Sequence, residues 1–234
     1  LPTNTYIPGQ NGHMGPRFMS ESAPDAVGSL WDELGPWLAG TGIVLRPWQE
    51  LVAQRAFEVD QAGGLCWRTV VVSTPRQSGK SHLLKAVALC RASHPDLFGE
   101  PQTVAHVANR HVAARRIHTL AWGWAERNGL LVRTAVGGER IIWPDGSCWN
   151  VNTLTNVYGE SAGAVLLDEV WDVTGEDYRE GLRPTQVERS MPQLWAFSTA
   201  HRRAQGLMPE LMADGRAGRA RTLLADWGAP VGAD

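Results

Sequence analysis

Between Trp31 and Phe57 apolar residues return every three or four positions, the spacing of a helix buried on one side. Gly-Pro at 35–36 and Arg-Pro at 46–47 interrupt that spacing and predict two short helices with a loop between them. Trp67–Val72 is a β-branched run closed by Ser-Thr-Pro, and Gly79–Ala92 resumes helical spacing, so this stretch reads as strand, loop, helix. Thr103–Ala108 is a second short apolar strand, Val112–Asn128 an Ala- and Arg-rich helix, and Leu130–Thr134 a further strand, which together make a βαβ rhythm. Arg140–Trp143 and Ser147–Val151 flank Pro-Asp-Gly and form a hairpin. Gly163–Leu167 and Gln193–Phe197 are short and mainly apolar, as strands buried on both faces of a mostly parallel sheet are. The expected class is α/β, a mostly parallel central sheet with helices on both faces.

Polar positions set the outer limits of this pattern. Residues 1–30 are rich in Gly, Pro, Asn and Ser, lack the basic-then-apolar order of a secretion signal, and are expected to be a flexible tail. After His201 the chain sets Arg202, Arg203, Arg216, Arg219 and Arg221 among Gly and Ala, which suits a lid or linker helix better than sheet. The expected division is therefore tail 1–30, one domain over 31–205, and a lid or linker over 206–234. No run of about eighteen apolar residues offers a membrane span. Cys66, Cys90 and Cys148 are odd in number and far apart, which suggests neither a disulfide framework nor a zinc site and fits a reducing compartment. A net charge of −2 carries no global signature of nucleic-acid binding, so any such contact must come from local patches. Eleven tryptophans are scattered without period and are read mainly as core or subunit-contact residues.

The chemistry concentrates at three strand ends. Thr74-Pro75-Arg76-Gln77-Ser78-Gly79-Lys80-Ser81 follows a strand and opens a helix, the context of a phosphate-binding loop. Backbone N–H groups at a helix N-terminus carry partial positive charge toward phosphate, Lys80 adds a point charge, and Ser81 offers a hydroxyl to Mg²⁺. Thr74 stands where the usual pattern has its first glycine. About ninety residues on, Ala164-Val-Leu-Leu-Asp168-Glu169 ends a buried strand in two carboxylates, Asp168 for the metal and Glu169 to polarise the attacking water. Ser198-Thr199-Ala200 closes the next strand on the same sheet edge, where hydroxyls can sense a γ-phosphate. Upstream, Gln49 has an amide that can meet an adenine edge or cap its own helix.

This set resembles the large terminase subunits that package viral DNA, over roughly residues 40–230. The loop arginine and Gln-x-Gly-Lys-Ser of Arg76–Ser81, the Leu-x-Pro-x-Gln of 45–49, the Ala-Asn-Arg of 108–110, the Gly-Glu-Ser of 159–161 and Ser198-Thr199-Ala200 are all similar to that family's motifs. The resemblance implies a P-loop NTPase of the RecA-like type, with the catalytic glutamate directly after the metal-binding aspartate. It also implies an ATP hydrolase that uses Mg²⁺, with Arg76 on phosphate charge and Arg110, Arg115 or Arg116 as candidates to reach a neighbouring subunit's site. Implied partners are double-stranded DNA, a portal protein, a small terminase subunit and further copies in a ring, in the host cytoplasm at the procapsid portal. The family's nuclease half is not expected in these residues. Two other readings stay open: a superfamily 2 helicase or translocase, which normally needs a second RecA-like domain, and an assembly protein that binds ATP without turning it over.

Overall fold

The computed structural model describes residues 15–108, 110–154, 156–157, 159–170, 173–199, 206–219 and 221–227. The chain opens with two short strands, β1 (Phe18–Met19) and β2 (Gly28–Ser29), then helices α1 (Trp31–Gly40) and α2 (Pro47–Ala56) and the short β3 (Glu58–Val59). The alternating part follows as β4 (Thr69–Thr74), α3 (Lys80–Ser93), β5 (Thr103–Ala108) and α4 (His111–Arg127). Next come β6 (Leu131–Arg133), β7 (Arg140–Ile142), β8 (Cys148–Asn152) and β9 (Ala164–Asp168). The last elements are β10 (Gln193–Thr199), α5 (Leu207–Arg216) and β11 (Thr222–Asp226).

Nine strands form one sheet in the order β1-β11-β4-β10-β9-β5-β8-β7-β6. The six from β11 to β8 are parallel, whereas β1 at one edge and the β7–β6 pair at the other run antiparallel to their neighbours. Every residue of β4 is buried, which is why its Val70-Val71-Val72 shows no polar alternation. Successive side chains of a strand point to opposite faces. Val70, Val72, Leu166, Trp195 and Phe197 therefore join the core under α1 to α4, and Val71, Val165, Leu167, Leu194 and Ala196 face a second core with Val157, Val170, Val173, Leu182 and the Leu207 and Leu211 of α5. Arg91, fully buried on α3, donates to the carbonyls of Gly163 at 2.8 Å and Met191 at 2.9 Å and so ties the helix to the starts of β9 and β10.

The α/β class, the parallel sheet and the 140–151 hairpin are as the pattern predicts. The ten tryptophans among the described residues all pack in or against the main core, while Trp171 lies outside them. All three cysteines are buried and free.

Four local expectations change. Helix α1 runs through Gly35-Pro36 instead of breaking there, since Gly35 leaves room for the Trp31 indole, whose Nε1 donates to Glu50 at 2.6 Å. Residues 130–134 supply an antiparallel edge strand and not the second β of a parallel unit. The polar N-terminal stretch is not all tail: β1 pairs with β11, and Arg17 contacts the fully buried Asp226 at 2.5 Å. The C-terminal stretch is not only lid, because β11 pairs in parallel with β4 inside the sheet, second from its edge. Two-residue strands have no measurable period, and β11 is five buried residues hidden behind an arginine- and glycine-rich lead. The sheet unit thus extends on both sides of 31–205.

Candidate functional site

Parallel strands bring β4, β9 and β10 to a common C-terminal edge, with Thr199 beside Thr74 and Asp168 beside both Phe197 and Ala108 in register. Open α/β sheets bind ligands at this edge. After β4 the chain turns through Pro75–Ser78, and the Thr74 and Ser78 hydroxyls lie 2.8 Å apart across the turn. Gln77 (φ 60°) and Gly79 (φ 106°) take left-handed conformations, and Gly79 is the N-cap of α3. A side chain costs energy in that region, so Gln77 is held there by the loop closed around it.

A cleft of about 610 Å³ opens at this edge, lined by Arg76, Gln77, Gly79, Lys80, Ser81, Asp168, Glu169 and Thr199. Residues far apart in sequence but predicted as one constellation thus share one cavity. Lys80 is buried, and its Nζ lies 3.9 Å from a Glu169 carboxylate oxygen. Glu169 itself has φ 59°, a left-handed conformation directly after Asp168, and its other carboxylate oxygen accepts from the Thr199 hydroxyl at 3.4 Å.

The electrostatics of the cleft are unbalanced. Burial pushes the Asp168 carboxyl up to about 6, the like charge of Glu169 adds to this, and Lys80 only partly opposes it. Burial pushes Lys80 down as well, against the attraction of Glu169 and Asp168, and Arg76 adds a repulsion. An anion beside Lys80 and a cation beside Asp168 would each restore the charged form of its neighbour. Ser81 and Asp168 offer hard oxygen donors, the type a divalent cation such as Mg²⁺ takes when water and phosphate complete its shell. Among the described residues no group of three or more His, Cys, Asp or Glu stands ready to cage a metal.

Other predicted residues sit elsewhere. Pro75 is exposed in the loop, and Ser198 is buried with its hydroxyl on the Thr199 carbonyl at 3.1 Å. Ala200 lies outside the described residues, as do His201, Arg202 and Arg203. Gln49 lies at the start of its own helix, fully buried, where it accepts from the Arg46 N–H at 2.7 Å and donates to the Gly79 carbonyl at 2.8 Å. Arg110 caps α4 and is exposed, and Arg116 is exposed on that helix. Arg115 instead donates at 2.7 Å to Glu139, a fully buried carboxylate that His111 also meets at 3.1 Å. Burial works to raise Glu139, but its backbone hydrogen bonds, His111 and Arg115 outweigh that and hold it below its ordinary value.

The sequence pattern did not single out Arg46 and His82. Arg46 donates to the Ser78 carbonyl at 2.9 Å, and the His82 ring meets the Val44 carbonyl at 3.0 Å. Arg46-Pro47 at a helix start is the only local sign of the first contact.

No family model and no curated protein matches this sequence. Solved structures do match. The large terminase of bacteriophage HK97 superposes with a TM-score of 0.65 at 18% identity, over 81% of this chain and 40% of that one. The large terminase ATPase domain of Thermus phage P74-26 superposes with a TM-score of 0.56 at 17% identity, over 76% of this chain and 72% of that one. This chain therefore has the fold of phage large-terminase ATPase domains, and it spans less than half the length of the HK97 protein.

Proposed function

We propose that this chain binds Mg-ATP and hydrolyses it, as the motor domain of a terminase large subunit that drives double-stranded DNA into a procapsid. The observation that carries the reading is the convergence of Lys80, Asp168 and Glu169 in one cleft at the C-terminal ends of parallel strands. The fold shared with phage terminase ATPase domains supports the packaging role.

In this reading the N–H groups at the start of α3 and the Lys80 ammonium hold the β- and γ-phosphates. Ser81 and Asp168 would hold Mg²⁺, which when bound would offset the negative charge of the phosphates. The Glu169 carboxylate, which lines the cleft, orients a water for attack on the γ-phosphorus and accepts its proton, while the bond from that phosphorus to the bridging oxygen breaks and ADP leaves with the oxygen. Arg76, exposed on the rim, stabilises the charge that develops on the transferred group. Thr199 donates to Glu169, so departure of the γ-phosphate can reach β10 through that contact, with Ser198 next to it. Arg110 and Arg116, exposed at the start of α4, remain the trans candidates, whereas Arg115 is committed to Glu139. The partners of the reading are the DNA, a portal protein, a small terminase subunit and neighbouring copies in a ring, at the procapsid in the host cytoplasm.

The test is Glu169→Gln, measured for ATP binding and steady-state phosphate release with and without Mg²⁺. A protein-concentration series supplies any residue that a neighbouring copy contributes. Binding should persist while turnover falls at least a hundredfold, the scale of losing a general base. Undiminished turnover in the variant would overturn the assignment.

A further inference from the structure

The stretch entering α2 grips the phosphate loop at successive carbonyls. The Gly79 carbonyl starts α3 by accepting the N–H groups of His82 at 3.0 Å and Leu83 at 3.3 Å, and the Gln49 amide adds a third donor at 2.8 Å. One residue earlier, the Ser78 carbonyl accepts from Arg46 at 2.9 Å. The approach is close: a Cβ on Gly79 would stand 2.9 Å from the Gln49 amide nitrogen, and the φ of 106° is one that side chains avoid. On its other side the Gln49 side-chain oxygen accepts the Arg46 N–H and so satisfies a backbone donor at the start of α2.

A glutamine that reads a purine must present an amide edge the base can reach. Gln49 has none of its surface exposed. What its amide controls is direction. In a planar trans peptide the C=O and the following N–H point opposite ways. Drawing the Gly79 carbonyl toward α2 turns the Lys80 N–H away from α2, and drawing the Ser78 carbonyl does the same for the Gly79 N–H. Gly79 and Lys80 both line the cleft.

We propose that Gln49, together with Arg46, is a positioning residue of the phosphate loop: it aims the backbone donors that receive the phosphates and supports ATP and GTP alike, with no part in reading the base. This rests on the nucleotide-hydrolase reading above.

The variants are Gln49→Met, which keeps the shape and loses both hydrogen bonds, and Arg46→Met and Arg46→Lys at an exposed position. Fluorescent ATP and GTP analogues are titrated against each, with kcat and KM measured for both nucleotides and folding checked by circular dichroism. Loss of a hydrogen bond of this kind is expected to weaken both nucleotides by about tenfold, leaving the ATP-to-GTP ratio of the wild type unchanged. Arg46→Lys, which still offers a donor, should recover part of the loss that Arg46→Met causes. If Gln49→Met does not fold, the Arg46 pair carries the test, because that side chain is at the surface. A loss confined to ATP would make this stretch a base reader and overturn the proposal, as would folded variants that bind both nucleotides like the wild type. A wild-type chain that binds neither nucleotide would instead remove the hydrolase reading on which the proposal stands.

Discussion

Replacing Gly215 by alanine separates a helix packed into the sheet from a helix waving as a lid, because the two arrangements give opposite signs. On a solvated helix Gly→Ala gains roughly 0.5–1 kcal/mol, since alanine loses less backbone freedom on folding. Here Gly215 is buried on α5, and a Cβ would stand 2.5 Å from the Leu224 Cβ and 3.4 Å from the Leu224 backbone. Carbon atoms are at ease about 3.5–4.0 Å apart, so roughly 1 Å must open between α5 and β11. Leu224 cannot easily yield, being fully buried on a strand paired with β1 on one side and β4 on the other. Overpacking of this type costs about 1–3 kcal/mol, and with Leu224 unable to yield the cost lies in the upper half of that range, so subtracting the helix gain leaves a net loss of about 1–2 kcal/mol. For a chain of this length that lowers Tm by about 3–6 °C. Thermal unfolding followed by circular dichroism reads the effect, with urea titration as a second measure. An unchanged or higher Tm would refute the packing of α5 on β11 and restore the view of 206–234 as a lid.

The arginines of α4 should separate in the same assay: Arg115→Ala deprives the buried Glu139 of a charged donor and should cost about 1–3 kcal/mol, while Arg116→Ala on the exposed face should leave Tm within about 1 °C. Equal effects of the two would contradict the ion pair as drawn. Acid should weaken the fold through its buried histidines. His118 donates Nε2–H to the Trp149 carbonyl and accepts the Trp122 indole N–H at Nδ1, so it is held neutral, and burial pushes its pKa from 6.5 down to about 4. Burial, with His118 adding to it, pushes His106 down to about 3. In both cases the unfolded chain takes up the proton first, so this stability is complete above 6.5 and is lost as pH falls from there toward 4, by about 1.4 kcal/mol per pH unit per histidine. Asp168 works in the opposite sense, because its raised carboxyl takes up a proton in the folded state near 6. Urea unfolding between pH 7 and pH 5 should therefore show a shallower pH dependence in His118→Phe than in the parent chain, by about one proton. Parallel pH profiles would mean that His118 is not held neutral.

Much of the site was legible because its parts are local. A β-branched run, a glycine-bearing turn and a helix follow one another within about twenty residues from Thr69, and that contiguity alone puts backbone donors and Lys80 at a strand end. The buried strand ending in Asp168-Glu169 could be read the same way, since its apolar run and its carboxylates are adjacent. Gln49 was only half legible. Its side chain has the same donors and acceptors whether it meets a base or a carbonyl, and only packing shows that the Gly79 carbonyl takes the donor.

The sequence by itself determined the elements that carry a local pattern of their own: helices α2 to α4, five of the six buried parallel strands, the hairpin at 140–151, the Gly79-Lys80-Ser81 turn and the Asp168-Glu169 strand end. Periodicity and turn chemistry act over a few residues, and there they are strong enough to decide. The tertiary structure decided what depends on distant partners. It placed β11 beside β4 and β1 beside β11, joined by Arg17 and Asp226 across a separation of 209 residues, although neither short strand carries a pattern of its own. It also turned Arg115 onto Glu139 and Gln49 onto Gly79. A strand with no readable period, or a polar side chain with several possible partners, takes its role from whichever hydrogen-bonding groups the fold brings to it, because burying such groups unpaired costs more than the fold can spare.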